Sequence, residues 1–276
     1  MMETKERKYM EPGEVTSTDG AKETFPPAKR KELNSTKMIE ASNLVKNFGK
    51  LKALDNISVN LHSGEAIALI GPNGSGKTTF IKAILGIVIP DKGEILFDGK
   101  SILKDWTYRN KVGYMPQIGR YPDNMSIEQV FEMMKDIRKP EGGTYDEDLI
   151  KAFQMKDLLR KKMNTLSGGT RQKVSSCIAF LFNPKVLILD EPTAGLDPLS
   201  SEILKEKIVE EQRKGKLILI TSHVLSELEE ITSNIMYLME GKIRFYKEIS
   251  VLKEETGEEK LVKAIAAYLT KAKSEL

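Results

Sequence analysis

The run GPNGSGKTT, Gly71 to Thr79, fits the pattern G-x-x-x-x-G-K-[ST] at Gly71, Gly76, Lys77 and Thr78. An apolar stretch, Ala66 to Ile70, precedes it, and a helix-forming stretch follows. Glycines let the backbone through Gly71, Pro72, Asn73, Gly74, Ser75 and Gly76 wrap a phosphate chain with its N–H groups inward. The helix N-terminus at Thr78 and Thr79 adds its positive dipole end. Lys77 is expected to reach the β- and γ-phosphates, and the Thr78 hydroxyl to ligate Mg²⁺. A second run, VLILDEP from Val186 to Pro192, ends a buried strand on Asp190, where ligands sit in open α/β sheets. Asp190 is expected to hold Mg²⁺ through water, and Glu191 to accept a proton from an attacking water.

These groups need a sheet and helices to place them. Val186 to Asp190 and Leu217 to Thr221 are continuous apolar runs, the mark of a parallel sheet covered on both faces. Ile57 to Leu61 alternates, as a half-exposed strand does, and Glu94 to Phe97 reads as a strand leading into the hairpin signal Asp98-Gly99. Ile235 to Met239 and Lys242 to Tyr246 form a second hairpin pattern. From about Ser126 to Leu159 the pattern predicts helix, with Val130, Met133, Met134 and Ile137 as its apolar stripe. A last helix near Glu258 to Ala272 carries Leu261, Ile265 and Leu269 on one side, and packs on the core or helps dimerise. The expected fold is α/β: a P-loop NTPase core with a mixed, mainly parallel sheet, an N-terminal antiparallel β subdomain, and a helical insertion at about 118–165.

In NTLSGGTRQKV, Asn164 to Val174, Ser167 is a natural N-cap. Val174, Cys177, Ile178 and Leu181 then recur on one helix face. Two glycines in the first turn, Gly168 and Gly169, weaken a helix unless its backbone must approach something.

The chain has 276 residues, 40% of them hydrophobic, and a net charge of +3. So small a charge argues against a nucleic-acid partner. No apolar run approaches the ~18 residues of a membrane span, and no secretory signal is visible. The single Cys177 excludes an internal disulfide and reads as a small buried residue. His62 belongs to no motif and reads as structural. Residues 1–37 are polar and mixed in charge, which predicts a disordered tail or a partner-binding arm.

The P-loop, Gln117, LSGGT at Leu166 to Thr170, VLILDE, Ala194-Gly-Leu-Asp197 and Thr221-Ser-His223 resemble the ordered motifs of ABC ATPases over about residues 38–247. The resemblance leaves 248–276 as a C-terminal helical extension. It implies ATP hydrolysis, coupled to transport, in a head-to-tail dimer of two copies. There Ser167, Gly168 and Gly169 of one copy would cover the γ-phosphate held by the other. It also implies that Gln117 touches Mg²⁺ and the water, that Asp197 links the two sites, and that His223 clamps the γ-phosphate. Phe48 would stack on adenine, or else be a core aromatic. Thr170 departs from the family's usual glutamine.

A separate multi-span permease is the implied partner, docked near Gln117, Arg120, Tyr121 and Met125 unless that patch is plain packing. The chain would then lie peripherally on the cytoplasmic face of the inner membrane. The run Gly113 to Asn124 with Leu166 to Lys173 further resembles the ATPase subunit of the nitrous-oxide-reductase maturation complex. That implies a periplasmic copper-handling partner, though no copper-ligand cluster is visible in this chain. The alternatives are a drug, lipid or polysaccharide exporter, or a soluble ABC ATPase without a permease.

Overall fold

The computed structural model describes residues 36–103, 105–140 and 143–274. The expected tail at 1–37 falls almost wholly outside them, and Lys37 already opens a strand.

Strands β1 (Lys37–Phe48) and β2 (Leu51–His62) pair antiparallel, β4 (Lys92–Phe97) lies on the other side of β1, and β5 (Lys100–Ser101) ends this sheet. β2 is longer than the alternating run Ile57–Leu61. Lys52, Asp55 and Asn56 hide its first half from the apolar pattern, and Asn56 has a φ of 57°. The second sheet has the order β10-β9-β3-β8-β7-β6. β3 (Ala66–Ile70), β6 (Val112–Met115), β7 (Val186–Asp190), β8 (Leu217–Thr221) and β9 (Asn234–Met239) run parallel, and β10 (Lys242–Glu248) returns antiparallel.

Period two divides the second sheet between two cores. Ile67 and Leu69 of β3 join Leu44, Leu54 and Phe80 in a core shared with the antiparallel sheet and α1 (Lys77–Ile84). Ala66 and Ala68 face the other way, with Val174, Cys177 and Leu181 of α4 (Gly168–Leu181). All four residues of the predicted α4 stripe are buried. Each such Leu or Phe contributes about 1.5–3 kcal/mol on leaving water.

The long helix expected over 126–159 is broken. α2 (Ile127–Ile137) ends where Arg138 turns extended and donates to the carbonyls of Asn110 and Val112. Pro140 and Gly143 follow before α3 (Asp148–Ala152) and a short 3₁₀ turn at Met155–Leu158. The buried face of α2 is Ile127, Val130 and Phe131, with Met134 packed beside it. Ile137, expected in the stripe, overhangs the helix end and is 74% exposed.

After α5 (Pro198–Arg213) and α6 (Leu225–Ile231) come α7 (Ile249–Thr256) and α8 (Leu261–Ser274). α8 packs on its own chain. Leu261 and Ile265 are buried, and Tyr268 meets the edge of Phe245, which stacks on Tyr237.

A buried charge network ties the insertion to α5. Lys207 lies 2.8 Å from both Asp146 and Asp148 and 3.2 Å from the fully buried Glu211. Burial works against the Lys207 ammonium, but its bonds to Asp146 and Asp148 outweigh it and raise its pKa. Burial likewise opposes the Glu211 carboxylate, and bonds from Lys214 and Lys216 nevertheless hold its pKa below the ordinary value.

Breaking a buried pair costs about 3–5 kcal/mol. Lys207→Met leaves Lys214 and Lys216 beside Glu211, so a loss of about 2–3 kcal/mol is expected as a lower urea midpoint. The lowered pKa of Glu211 sets the sign with pH. Its contribution is full above the ordinary glutamate pKa of about 4.3 and is lost as pH falls through the lower folded value. The midpoint should therefore decline on acidification below about pH 4.

Candidate functional site

Four neighbouring parallel strands end on the same edge of the second sheet. The P-loop leaves β3, Thr221 and His223 close β8, Asp190 and Glu191 close β7, and Gln117 follows β6. Parallel register alone brings these four segments together.

The P-loop sits tightly on β2. Gly76 has a φ of 107°, and a Cβ there would lie 2.4 Å from the Ala53 carbonyl oxygen, so no larger residue fits. α1 begins with no side-chain cap, which leaves its first N–H groups for a ligand. Ser75 Oγ is buried and has no hydrogen-bond partner among the described residues. Pro72, Asn73, Gly74 and Thr78 are exposed, and Thr79 is partly so. The Lys77 ammonium donates to the carbonyls of Gly71 at 2.7 Å and Pro72 at 3.0 Å. Burial lowers its pKa, while the charges of Glu191 and Asp190 pull it back up, as carboxylates facing an ammonium must.

Asp190 and Thr221 are register partners, and the Thr221 hydroxyl donates to the Asp190 carboxylate. The Glu191 N–H is held by the Thr221 carbonyl at 3.0 Å and by its hydroxyl at 3.2 Å. Glu191 has a φ of 52°, the left-handed region that residues with a Cβ rarely adopt. Its carboxylate meets His223 twice, at 3.5 Å from Nε2 and at 3.3 Å from the backbone N–H. His223 is otherwise open to solvent. A shielded carboxylate and an exposed imidazole thus stand side by side opposite an ammonium. Such a set can accept a proton from water and hold an anionic phosphate.

Phe48 closes β1 and is 51% exposed, which removes the core-aromatic alternative. Lys46 lies 5.6 Å over its ring and is pinned by Asp91 at 2.8 Å. Gln117 and Arg120 are exposed, whereas Tyr121 and Met125 pack partly against the core.

Ser167 caps α4 as predicted, accepting from the Thr170 N–H. The Thr170 hydroxyl lies 2.9 Å from Ser167 Oγ, so the unusual residue supports the cap. Gly168 faces open space. A Cβ on Gly169 would lie 2.5 Å from the Gly195 carbonyl oxygen, so this glycine also serves packing within the chain. Among the described residues no hydrogen bond joins Ser167–Gly169 to the P-loop. Asp197 caps α5 through Ser200 and pairs with Lys173 at 2.8 Å. The Lys173 ammonium, then the Ser200 bonds, hold its carboxyl well below the usual range.

Thr221, Gln172 and Lys173 contact the site, and although all three lie in the quoted motif runs, the motifs give none of them a role. Thr221 opens the Thr221-Ser-His223 motif but gains its part as the register partner of Asp190, and Gln172 gains its part as the donor to the Glu191 carbonyl at 3.1 Å. His62 pairs with Glu65 at 3.5 Å, and Cys177 is buried, which pushes its thiol pKa up.

Residues 54–194 match the family model described as ABC transporter. The lantibiotic transport ATP-binding protein SrtF of Streptococcus pyogenes is 34% identical over 215 residues, 76% of this chain and 91% of its own length. A solved ATP-binding subunit of an ABC transporter superposes with a TM-score of 0.78 at 27% identity, over 83% of this chain and 98% of the other. A dimeric bacterial ABC transporter cassette superposes with a TM-score of 0.68 at 25% identity, over 76% and 98%. The aligned strand ends and these likenesses agree: the chain belongs to the ABC transporter family as one of its ATP-binding subunits, an ATPase of the ABC cassette fold.

Proposed function

We propose that two copies of this chain sandwich ATP head to tail and drive a separate membrane permease. The observation that carries this reading is the meeting of Lys77, Asp190, Glu191 and His223 at one sheet edge. Glu191 takes a proton from the attacking water, and Lys77 and His223 hold the γ-phosphate. Phe48, exposed at the end of β1, stacks on adenine. Ser167 and Gly168, free of the chain's own P-loop, close on the partner's ATP, and Asp197 carries the link between the two sites. The solved dimer of a similar cassette supports this arrangement.

The donors at the edge suit Mg²⁺. A threonine hydroxyl, one carboxylate and an amide are hard oxygen ligands, which leave room for phosphate and water. Thr78, Asp190 and Gln117 would hold the ion. When bound, it neutralises charge on the β- and γ-phosphates.

No described helix is long and apolar enough to cross a membrane, and the permease of this reading is a second protein. Two exposed surfaces suit its docking. One is Gln117, Ile118 and Arg120, with Ile118 64% exposed. The other is a cleft of about 200 Å³ lined by Val88, Ile89, Pro90, Leu103 and Trp106, with Trp106 68% exposed. Apolar side chains exposed together and rimmed by polar residues are the kind of surface that a protein partner covers. We read 38–247 as the ATPase domain and 248–276 as a helical extension, on the cytoplasmic face of the membrane.

The cargo has two readings. A relative named as a lipopolysaccharide export system ATP-binding protein, 31% identical over 214 residues, favours an exporter. The run Gly113 to Asn124 favours copper-site maturation of nitrous oxide reductase, with a periplasmic partner.

Glu191→Gln should lower ATP turnover about a hundredfold or more, while an ATP-dependent dimer accumulates in sedimentation. Wild-type turnover in this variant would sink the assignment. The Glu191→Gln protein, held in ATP–Mg²⁺ and drawn from native membranes, should bring a multi-span permease, and Trp106→Asp should lose it. A periplasmic copper-handling companion selects maturation; a permease with other companions selects export. Recovery of no membrane protein overturns the transport reading.

A further inference from the structure

Gln172 has no part in the reaction outlined above, yet it is 6% exposed and aimed at the catalytic segment. Its Nε2 donates to the Glu191 carbonyl at 3.1 Å and lies 3.5 Å from the Pro192 carbonyl. The Glu191 N–H is already held from the other side, by both oxygens of Thr221. Glu191 is therefore gripped at its N–H by β8 and at its C=O by α4, with the Ala194 N–H also donating to that carbonyl at 3.2 Å. That matters because its φ of 52° is unfavourable for a residue with a Cβ. Such a conformation persists only where the surroundings over-determine it.

Two more contacts fasten the start of α4 to the segment after Glu191. Gly169 abuts the Gly195 carbonyl, and Lys173 pairs with Asp197 at 2.8 Å. Gln172 is the member of this set that touches Glu191 itself, and an amide N–H to a carbonyl holds direction as well as distance.

We infer that Gln172 is a positioning residue for Glu191, holding its backbone left-handed so that the carboxylate faces the water to be activated. The inference rests on Glu191 being the base. Gln172→Met keeps the length of the side chain and removes the donor.

The test is steady-state hydrolysis of ATP–Mg²⁺ by the full chain, comparing wild type, Gln172→Met, Glu191→Gln and the double variant. A misplaced base costs about a hundredfold in rate. The expected result for Gln172→Met is a fall of that size in kcat with KM for ATP unchanged. The double variant should then be no slower than Glu191→Gln alone, because the two residues act through one group. Wild-type kcat in Gln172→Met overturns the inference. So does a raised KM with kcat intact, or the same fractional loss in the Glu191→Gln background. Should Gln172→Met fold poorly, Gln172→Ala runs the same cycle. Full turnover by Glu191→Gln is a different failure: it removes the base itself.

Discussion

Thr221 faces Asp190 in the register of two parallel strands, and the site is assembled outward from that pair. The threonine hydroxyl orients the Asp190 carboxylate and, with the Thr221 carbonyl, holds the next residue's N–H. Parallel strands can do this because their C-terminal ends lie at one level, so two chain segments distant in sequence exchange hydrogen bonds as they leave the sheet. Moving either strand by one residue would turn that strand's side chains to opposite faces and separate the pair.

That register is held by the two cores. The sheet buries Ile67 and Leu69 on one face and Ala66 and Ala68 on the other. A slip would exchange small and large residues across both faces at once. Burial of apolar surface sets the position of β3, β8 and β7, and the polar edge inherits it. The insertion is fastened differently, by the ions around Lys207. Charges out of water tolerate little misplacement, so this joint specifies a geometry more than it adds net stability.

α4 faces two ways. Its capped start, with Ser167 and an open Gly168, is the kind of helix N-terminus that receives an anion. Within its first two turns, Gly169, Gln172 and Lys173 grip the segment running from Glu191 to Asp197. A displacement of the helix start would be felt at once by the carbonyl of Glu191. Glycine at 169 answers to close packing on Gly195, while the open position at the helix start is Gly168.

What the sequence determined by itself is what local chemistry imposes. The spacing of Gly71 to Thr78 between a strand and a helix is that of a phosphate loop, because such glycines let a backbone wrap an anion. The apolar runs ending in Asp190 and Thr221 must be buried parallel strands. Ser167 had to cap the helix whose buried stripe follows it. Periodicity misled where tertiary contacts took over. Arg138 found the carbonyls of Asn110 and Val112 and ended α2, leaving Ile137 exposed. The exposure of Phe48, the packing of α8 on its own chain and the roles of Thr221 and Gln172 were decided only by the folded structure. Each depends on residues far apart in the chain, and a hydrogen bond between two such residues leaves no mark in the spacing of either.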